Sequence, residues 1–479
     1  LKNLNGYLFA DDKGVAGSLS GEMKIPKFSN GIEFVLPNAS VDFNTRNFPL
    51  DHIFESKLYR FNESNFFKSS VNGGKLIKGG AEVFSGDLAF YVGLSNNSTG
   101  LDVDELLGKV SNAKLSLGDN NLVVVDKGNG SFVVRNNGVA ADFSASLTVN
   151  SQDVESRGVF SAKVNYMGES ININKGIGNT SFTLNLDDGL DKIIEGSGVR
   201  FVVGSQELEG NFDLIQENGL VRLSMEKASV VVGDDSNDYI KVVDVKGTAL
   251  IDPEGVAIDA KGNAEMLLSN LSTSGEYRVK IKTFDRQIAQ QFLDQSTISI
   301  RAGPVTEVSG TGVTLTVAGQ SLTGNFNFSK VESVGMDLTL DDVDFSIGNG
   351  NNYASIQNGS GVLSVNQFGV EGYIQIEKLE LANLQGMSLN DMSVDKASVQ
   401  FNTRKFPVSR EITTNEGVAK LELPSGPYVR LSMNDVSLNL NNLQTSGGSD
   451  AILNGDVFLQ KTDNELIVAL KNIESSIHI

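Results

Sequence analysis

The sequence predicts an all-β protein, and three observations lead to this fold class. Apolar and polar residues alternate with period two through most segments. Glycine is abundant, with 50 residues in a chain of 479, whereas only 8 prolines occur. Similar stretches also recur at a nearly constant spacing along the chain. Few prolines and many alternating runs favour long hydrogen-bonded ladders of mostly antiparallel strands.

Alternation is clearest in "VSGTGVTLTVAGQSLTGNFNF" (308–328). Val313, Leu315 and Val317 share one face of a strand, and Leu322 and Phe326 share one face of the next. The segment between them contains a glycine, which adopts the positive φ of a turn at low cost. The sequence therefore predicts a β-hairpin here, with one face on a core.

The strand that follows, "MDLTLDDVDFSIG" (336–348), changes parity between Leu340 and Val343. A β-bulge would restore the inward face. The same change occurs between Met225 and Ala228. Two segments, 102–113 and 285–295, read as helices that cap the ends of the core.

The repeat is carried by pairs separated by 114 residues, such as Gly198 and Gly312, Phe212 and Phe326, and Tyr239 and Tyr353. Weaker copies extend the pattern in both directions. We predict three whole units at 72–189, 190–303 and 304–426, with partial units at 1–71 and 427–479. The absence of linkers between units favours a continuous rod or solenoid-like array. Separate β-sandwich beads are the alternative.

The composition excludes several functional classes. A net charge of −20 disfavours nucleic-acid binding. Cysteine is absent, so neither a disulfide nor a thiolate metal site forms. No apolar run approaches the ~20 residues of a membrane helix. We expect no transmembrane segment, and a soluble chain that is processed or belongs to a longer one.

Catalytic residues are hard to place. The only histidines, His52 and His478, stand in different partial units, and no G-x-S-x-G nucleophile elbow occurs. We therefore expect no enzymatic activity, no catalytic residue and no organic cofactor.

Acidic residues in loops are the best candidates for a ligand-binding site. Asp234, Asp235, Asn237 and Asp238 in "GDDSNDY" could supply oxygen ligands to calcium. Two further clusters, Asp187/Asp188/Asp191 and Asp341/Asp342/Asp344, fit solvated faces as well. The sequence predicts 234–238 as a possible calcium site and no other cofactor. Arg46 and Arg404, in two copies of "FNTR", are interpreted as partners in salt bridges between units rather than as ligand-binding residues.

With "LPSGPYVRLS" (423–432) and the "FNT" segments, the 308–328 stretch resembles tandem β-repeats of very large bacterial surface or secreted adhesin-like proteins, some of which also contain RTX repeats. The resemblance implies an extracellular or cell-surface location in a bacterium. It implies a structural segment of a fibre or adhesin, a spacer or scaffold whose partners are further repeats of the same or a longer chain. Because exposed strand edges pair unless they are blocked, we also expect a homo-oligomer or filament. A lipid-handling β-groove and a calcium-dependent adhesive module are the alternatives.

Overall fold

The computed structural model describes most of the 479 residues. The described residues exclude 1, 23–30, 62–65, 94–104, 178, 189–191, 234–236, 269–270, 318–319, 332–334, 349–351, 382–395, 415–416, 441–449, 462–465 and 479. Within the described part the chain is almost entirely β-strand, and the predicted all-β fold is confirmed.

The first 15 strands occupy residues 2–186. They are β1 (Lys2–Asp11), β2 (Gly14–Glu22), β3 (Ile32–Val35), β4 (Ala39–Asn44), β5 (Leu50–Phe54), β6 (Lys57–Phe61), β7 (Phe66–Lys78), β8 (Ala81–Gly93), β9 (Glu105–Leu117), β10 (Val123–Arg135), β11 (Gly138–Val149), β12 (Val154–Arg157), β13 (Phe160–Asn165), β14 (Ile171–Ile177) and β15 (Thr180–Leu186). A short 3₁₀ turn, Asp119–Asn121, precedes β10.

The next nine strands occupy residues 193–300. They are β16 (Ile193–Val203), β17 (Gln206–Glu217), β18 (Leu220–Gly233), β19 (Asp238–Asp252), β20 (Gly255–Met266), β21 (Leu271–Ser274), β22 (Glu276–Lys282), β23 (Ile288–Gln291) and β24 (Thr297–Ile300).

The remaining strands occupy residues 305–478. They are β25 (Val305–Val317), β26 (Gln320–Val331), β27 (Gly335–Gly348), β28 (Asn352–Asn366), β29 (Gly369–Ile376), β30 (Lys378–Leu381), β31 (Lys396–Asn402), β32 (Val408–Thr414), β33 (Gly417–Leu423), β34 (Tyr428–Leu440), β35 (Asp450–Lys461) and β36 (Leu466–His478).

Most of the long strands pair with the long strand that follows them in the chain, and every pairing among the described strands is antiparallel. In the described residues, 28 strands form one sheet from β1 to β36. The short strands β3, β12, β21 and β30 lie beside longer neighbours. Four hairpins, β5–β6, β14–β15, β23–β24 and β32–β33, form separate two-stranded sheets. A single sheet from β1 to β36 in the described part agrees with the continuous array and not with separate sandwiches.

The two helix predictions are wrong. Residues 105–117 form β9, and 288–291 form the first strand of the β23–β24 hairpin; 102–104 lie outside the described residues. Pairing with strands on either side supplies β9 with hydrogen bonds along its length. Tertiary context thus overrides the local helical pattern.

Bulges interrupt the long strands at similar positions along their length. The predicted bulges are confirmed, since the register shifts between Leu340 and Val343 and between Met225 and Ala228. The bulged residues adopt left-handed backbone angles, as at Lys227 (φ 50°) and Asp342 (φ 52°). Others of the same kind are Gly73, Asn112, Lys127, Gly198, Asp244, Gly312 and Asn358. Because bulges bend a strand and increase its twist, a row of them curves the sheet.

Ring contacts show how far the sheet curls. Phe84 on β8 and Phe143 on β11 have centroids 5.8 Å apart, although two strands separate them. Phe345 on β27 and Phe401 on β31 are 6.1 Å apart across a similar separation. In a flat sheet, three strand spacings amount to about 14 Å. The sheet therefore wraps around its own inner face.

The inner face carries one continuous hydrophobic core that extends from Ile32 to Val457. The four hairpins cover the opposite, outer face at one end of the strands. On β10, for example, Phe132 and Val134 belong to the inner core, whereas Val133 packs with Phe182 of the β14–β15 hairpin. Equivalent outer clusters lie under the other three hairpins.

The order of strands recurs along the chain. Five long strands are followed by a short strand, a medium strand and a hairpin, in β7–β15, β16–β24 and β25–β33. By the same order, β1 corresponds to the fourth long strand of a unit, and β36 corresponds to the third long strand. The predicted boundaries remain predictions. The predicted boundary at 71/72 lies inside β7. At the other predicted boundaries, the long strands on the two sides belong to the same sheet.

Candidate functional site

The duplicated hairpin contains a polar contact at its bulge. The N–H of Gly312 on β25 donates to Oδ1 of Asn325 on β26, with 3.1 Å between the atoms, and Gly198 makes the same bond to Asn211. Gly312 has φ 64°, a conformation that L-residues with a side chain rarely adopt. The glycine and the asparagine recur together because one forms the bulge and the other satisfies its N–H.

A second recurring arrangement joins each hairpin to the sheet, and we name it the corner. At the corner formed by Thr403, Oγ1 accepts the N–H of Val370 at 2.7 Å, and the Thr403 N–H donates to the Val370 carbonyl at 2.8 Å. Thr45 and Thr283 make the same pair of bonds to Val15 and Val256.

The residue before Val370 is Gly369, the second glycine of "GVLSVNQFG". It has φ 129°, and a Cβ there would lie 2.4 Å from the Thr403 hydroxyl. The spaced glycine pairs and the "FNT" segments are therefore two halves of one structural element.

A buried polar residue precedes the threonine of each corner, and it also precedes the residue at the same position before the β14–β15 hairpin. Nδ2 of Asn402 donates to the carbonyls of Phe406 and Pro424, which fixes both ends of the β32–β33 hairpin. Asn44 and Asn165 donate similarly. At the remaining corner Lys282 replaces asparagine, and its Nζ donates to the carbonyls of Phe284 and Arg286 at 2.6 and 2.8 Å. Burial lowers the pKa of Lys282, yet its ammonium is occupied with structural hydrogen bonds.

The arginines of "FNTR" form salt bridges, as predicted, but within a unit rather than between units. Arg46 pairs with Asp11 at 2.7 Å, and Arg404 pairs with Glu371 at 2.9 Å. Each partner lies in the same predicted unit as its arginine: Asp11 ends β1, and Glu371 lies on β29, which pairs with the strand β31 that precedes Arg404. The interpretation as bridges between units is therefore wrong.

Glu371 is the most buried acid in such a pair, with 1% of its side chain exposed. Arg410 of β32 contacts its second oxygen at 2.5 Å. Burial raises the pKa of Glu371 above its ordinary value, and the two guanidinium groups oppose that shift. Both arginines are thereby committed to an internal cluster.

A surface groove of about 530 Å³ lies beside the Lys282 corner. Asp153, Gln206, Lys282 and Thr306 are among the residues that line it. Gln206 bonds both backbone groups of Gly233, and Lys282 bonds the carbonyls named above. Two polar side chains of the groove, Gln206 and Lys282, are thus used to hold the backbone.

The predicted calcium residues lie at the connection between β18 and β19. Asp234 and Asp235 are outside the described residues, whereas Asn237 and exposed Asp238 stand at the start of β19. No cluster of three or more metal-ligating side chains occurs among the residues that the structure describes. The calcium site stays a prediction, and a calorimetric titration in which Ca²⁺ gives no heat would contradict it.

The other acidic clusters do not gather into a site. Asp341, Asp342 and Asp344 are exposed on β27, and Asp344 accepts the N–H of the bulge residue Asn358 at 3.1 Å. Asp187 and Asp188 follow β15, and Asp191 is not among the described residues.

The histidines are far apart in the fold. His52 is exposed on β5 and contacts Phe9 with tilted rings, 4.2 Å between their centroids. His478 ends β36 at the edge of the sheet. The exposed rings of Phe368 and Phe406 meet edge to face at 71° and so present no flat platform for a sugar.

No protein-family model matches the chain, and no curated protein matches it. In the described part, no helix has the length and apolar character needed to cross a bilayer.

Proposed function

We propose that this chain is a structural repeat segment of a bacterial cell-surface or extracellular fibre or adhesin, acting as a spacer or scaffold. The observation that supports this proposal is the single antiparallel sheet with one continuous core along the described chain. Buried or bulge-facing polar side chains bond backbone groups and hold the hairpins and bulges in place. Such an arrangement fixes the length and shape of the segment, and it requires no ligand.

The lipid-handling alternative requires an open apolar trough. The curl of the sheet instead brings distant strands into contact, and the inner-face side chains are buried. An inner cavity lined by residues such as Phe201, Phe212 and Ile258 holds only about 10 Å³. That volume is about one water molecule and far less than an acyl chain. The closed interior therefore favours the scaffold over the groove.

Solution scattering tests the scaffold. A compact chain of this length has a radius of gyration of about 23 Å, whereas an elongated array of the same mass has a larger one. We expect the larger value. A compact profile would contradict the proposal, and native mass spectrometry that finds bound lipid would favour the groove.

A further inference from the structure

The groove beside the Lys282 corner is built where four segments of the chain meet. Asp153 belongs to the connection between β11 and β12, and residues 203–206 form the turn between β16 and β17. Residues 281–283 and 304–306 stand at the end of β22 and the start of β25. The volume of about 530 Å³ lies within the range of small-ligand sites, which often occur where separate parts of a fold meet. The groove therefore has the size and the position of a ligand site.

The loop that carries Asp153 is held in place by other parts of the chain. Oγ of Ser151 donates to the carbonyl of Asp252 at 2.5 Å, and the carbonyl of Asp153 accepts the N–H of Gly204 at 2.8 Å. Asp153 itself has φ 56°, in the left-handed region. Strained backbone of this kind recurs at ligand-binding positions. The structure thus fixes the point on the groove from which the Asp153 side chain projects.

Two polar side chains of the groove are not used by the fold. The carboxylate of Asp153 is exposed, and it has neither a hydrogen bond nor an ion pair to any residue in the described part of the chain. Within the same part, the hydroxyl of half-buried Thr306 on β25 also has no partner. Both groups are therefore free to bond a ligand, whereas Gln206 and Lys282 hold the backbone around them.

The lining of the groove is electrically balanced, unlike the chain, whose net charge is −20. Asp153 and Lys282 are the charged residues that line it, one negative and one positive. A cationic ligand would meet the buried ammonium of Lys282, which has no salt bridge among the described residues. An anionic ligand would meet the Asp153 carboxylate and the negative field of the whole chain. The groove therefore favours a neutral ligand.

The remaining lining defines the chemistry of that ligand. Val203, Ile281 and Val305 are apolar, and Pro304 adds an exposed ring. A carboxylate only accepts hydrogen bonds, whereas a threonine hydroxyl donates and accepts. The matching ligand has hydroxyl groups on one side and C–H groups on another. A sugar ring combines both, with hydroxyls around its edge and C–H groups on its faces.

We propose that this groove binds a neutral sugar or a short neutral oligosaccharide. The Asp153 carboxylate accepts hydrogen bonds from sugar hydroxyls, and the Thr306 hydroxyl bonds a neighbouring oxygen. The Pro304 ring lies against the C–H face. This inference adds a ligand to the proposed scaffold and does not depend on the length or shape of that scaffold.

Saturation-transfer difference NMR of the full chain tests the proposal with glucose, galactose, N-acetylglucosamine, lactose and cellobiose. We expect at least one of these saccharides to receive saturation and to give a saturable titration. Asp153→Asn keeps the side-chain shape and tolerates the left-handed backbone. It should weaken binding by more than about tenfold, because hydrogen bonds to a charged acceptor are the stronger ones. Thr306→Val removes a neutral hydroxyl and should weaken binding by about threefold to tenfold.

Asp342→Asn is the matched control, because Asp342 is also an exposed aspartate with left-handed backbone (φ 52°) and lies outside the groove. It should bind saccharide like wild type, and urea denaturation establishes that each variant is folded. The inference is overturned if none of the saccharides binds, or if Asp153→Asn and Thr306→Val both bind like wild type. Acetate or methylammonium that binds more tightly than every saccharide would also overturn it, since the groove would then select charge.

Discussion

Oδ1 of Asn325 accepts the N–H of Gly312 across 3.1 Å, at the residue where β25 bulges. This contact ties a backbone conformation that favours glycine to a side chain on the adjacent strand. It explains why both residues recur in the earlier hairpin, and why Asp87 accepts the N–H of Gly73 in the first full copy.

Gly312→Ala should lower the free energy of unfolding by about 1–2 kcal/mol, because alanine is strained at positive φ. Urea denaturation measures the change. Gly176→Ala is the matched control, since Gly176 has no positive φ and an added Cβ would lie 4.0 Å from its nearest neighbour. That variant should be neutral or slightly stabilising. Equal losses in the two variants would show that the bulge conformation is not the cause.

Glu371→Ala should be strongly destabilising, by about 3–5 kcal/mol, because it leaves the guanidinium groups of Arg404 and Arg410 without their buried partner. Glu380→Ala removes an exposed partner of Lys378 and should cost less than about 1 kcal/mol. Chemical denaturation of both variants provides the comparison. Similar small losses would mean that the Glu371 cluster contributes no more than a surface ion pair.

Thr403→Val keeps the shape of the corner but removes the acceptor for the Val370 N–H. We expect a loss of about 1–3 kcal/mol, since the N–H would be left unpaired. Hydrogen exchange at the Val370 amide should accelerate. Thr316→Val, in which only an exposed hydroxyl contact to Ser321 is lost, should leave both stability and exchange near wild type. Unchanged exchange at Val370 would count against the corner bond.

Glu105 should make stability depend on pH. Burial alone would raise its pKa, but hydrogen bonds and charge from Lys175 and Arg135 outweigh burial and lower the pKa below the ordinary value. A lowered pKa contributes stability that is present above the unfolded-state pKa and is lost as the pH falls through the folded-state pKa.

Glu105→Gln should therefore be less stable than wild type at pH 7, and the difference should shrink as the solution is acidified. Denaturation curves at several pH values measure it. Glu155→Gln removes one charge of an exposed pair with Arg157 and should cost less than about 1 kcal/mol at pH 7. A difference that grows in acid would refute the assignment.

Local patterns of apolar and polar residues were enough to predict the strands and the bulges. Alternation at Val313, Leu315 and Val317 gave the buried face, and the parity change at Leu340 gave the bulge. The segments around Leu107 and Ile288 were misassigned because strand pairing and hairpin packing, which act over long distances, override local pattern. The corners were missed because their parts, such as Gly369 and Thr403, are 34 positions apart. The signal existed in the constant spacing between glycine pairs and "FNT" segments.

The placement of β1 and β36 at opposite ends of one ladder has a mechanical consequence. A load applied along this ladder acts across the hydrogen bonds between neighbouring strands, so it separates one strand at a time instead of shearing many together. Each released strand adds slack and lowers the tension on those that remain. A tether of this construction yields gradually under a sudden pull, and it recovers its length as strands zip back in order.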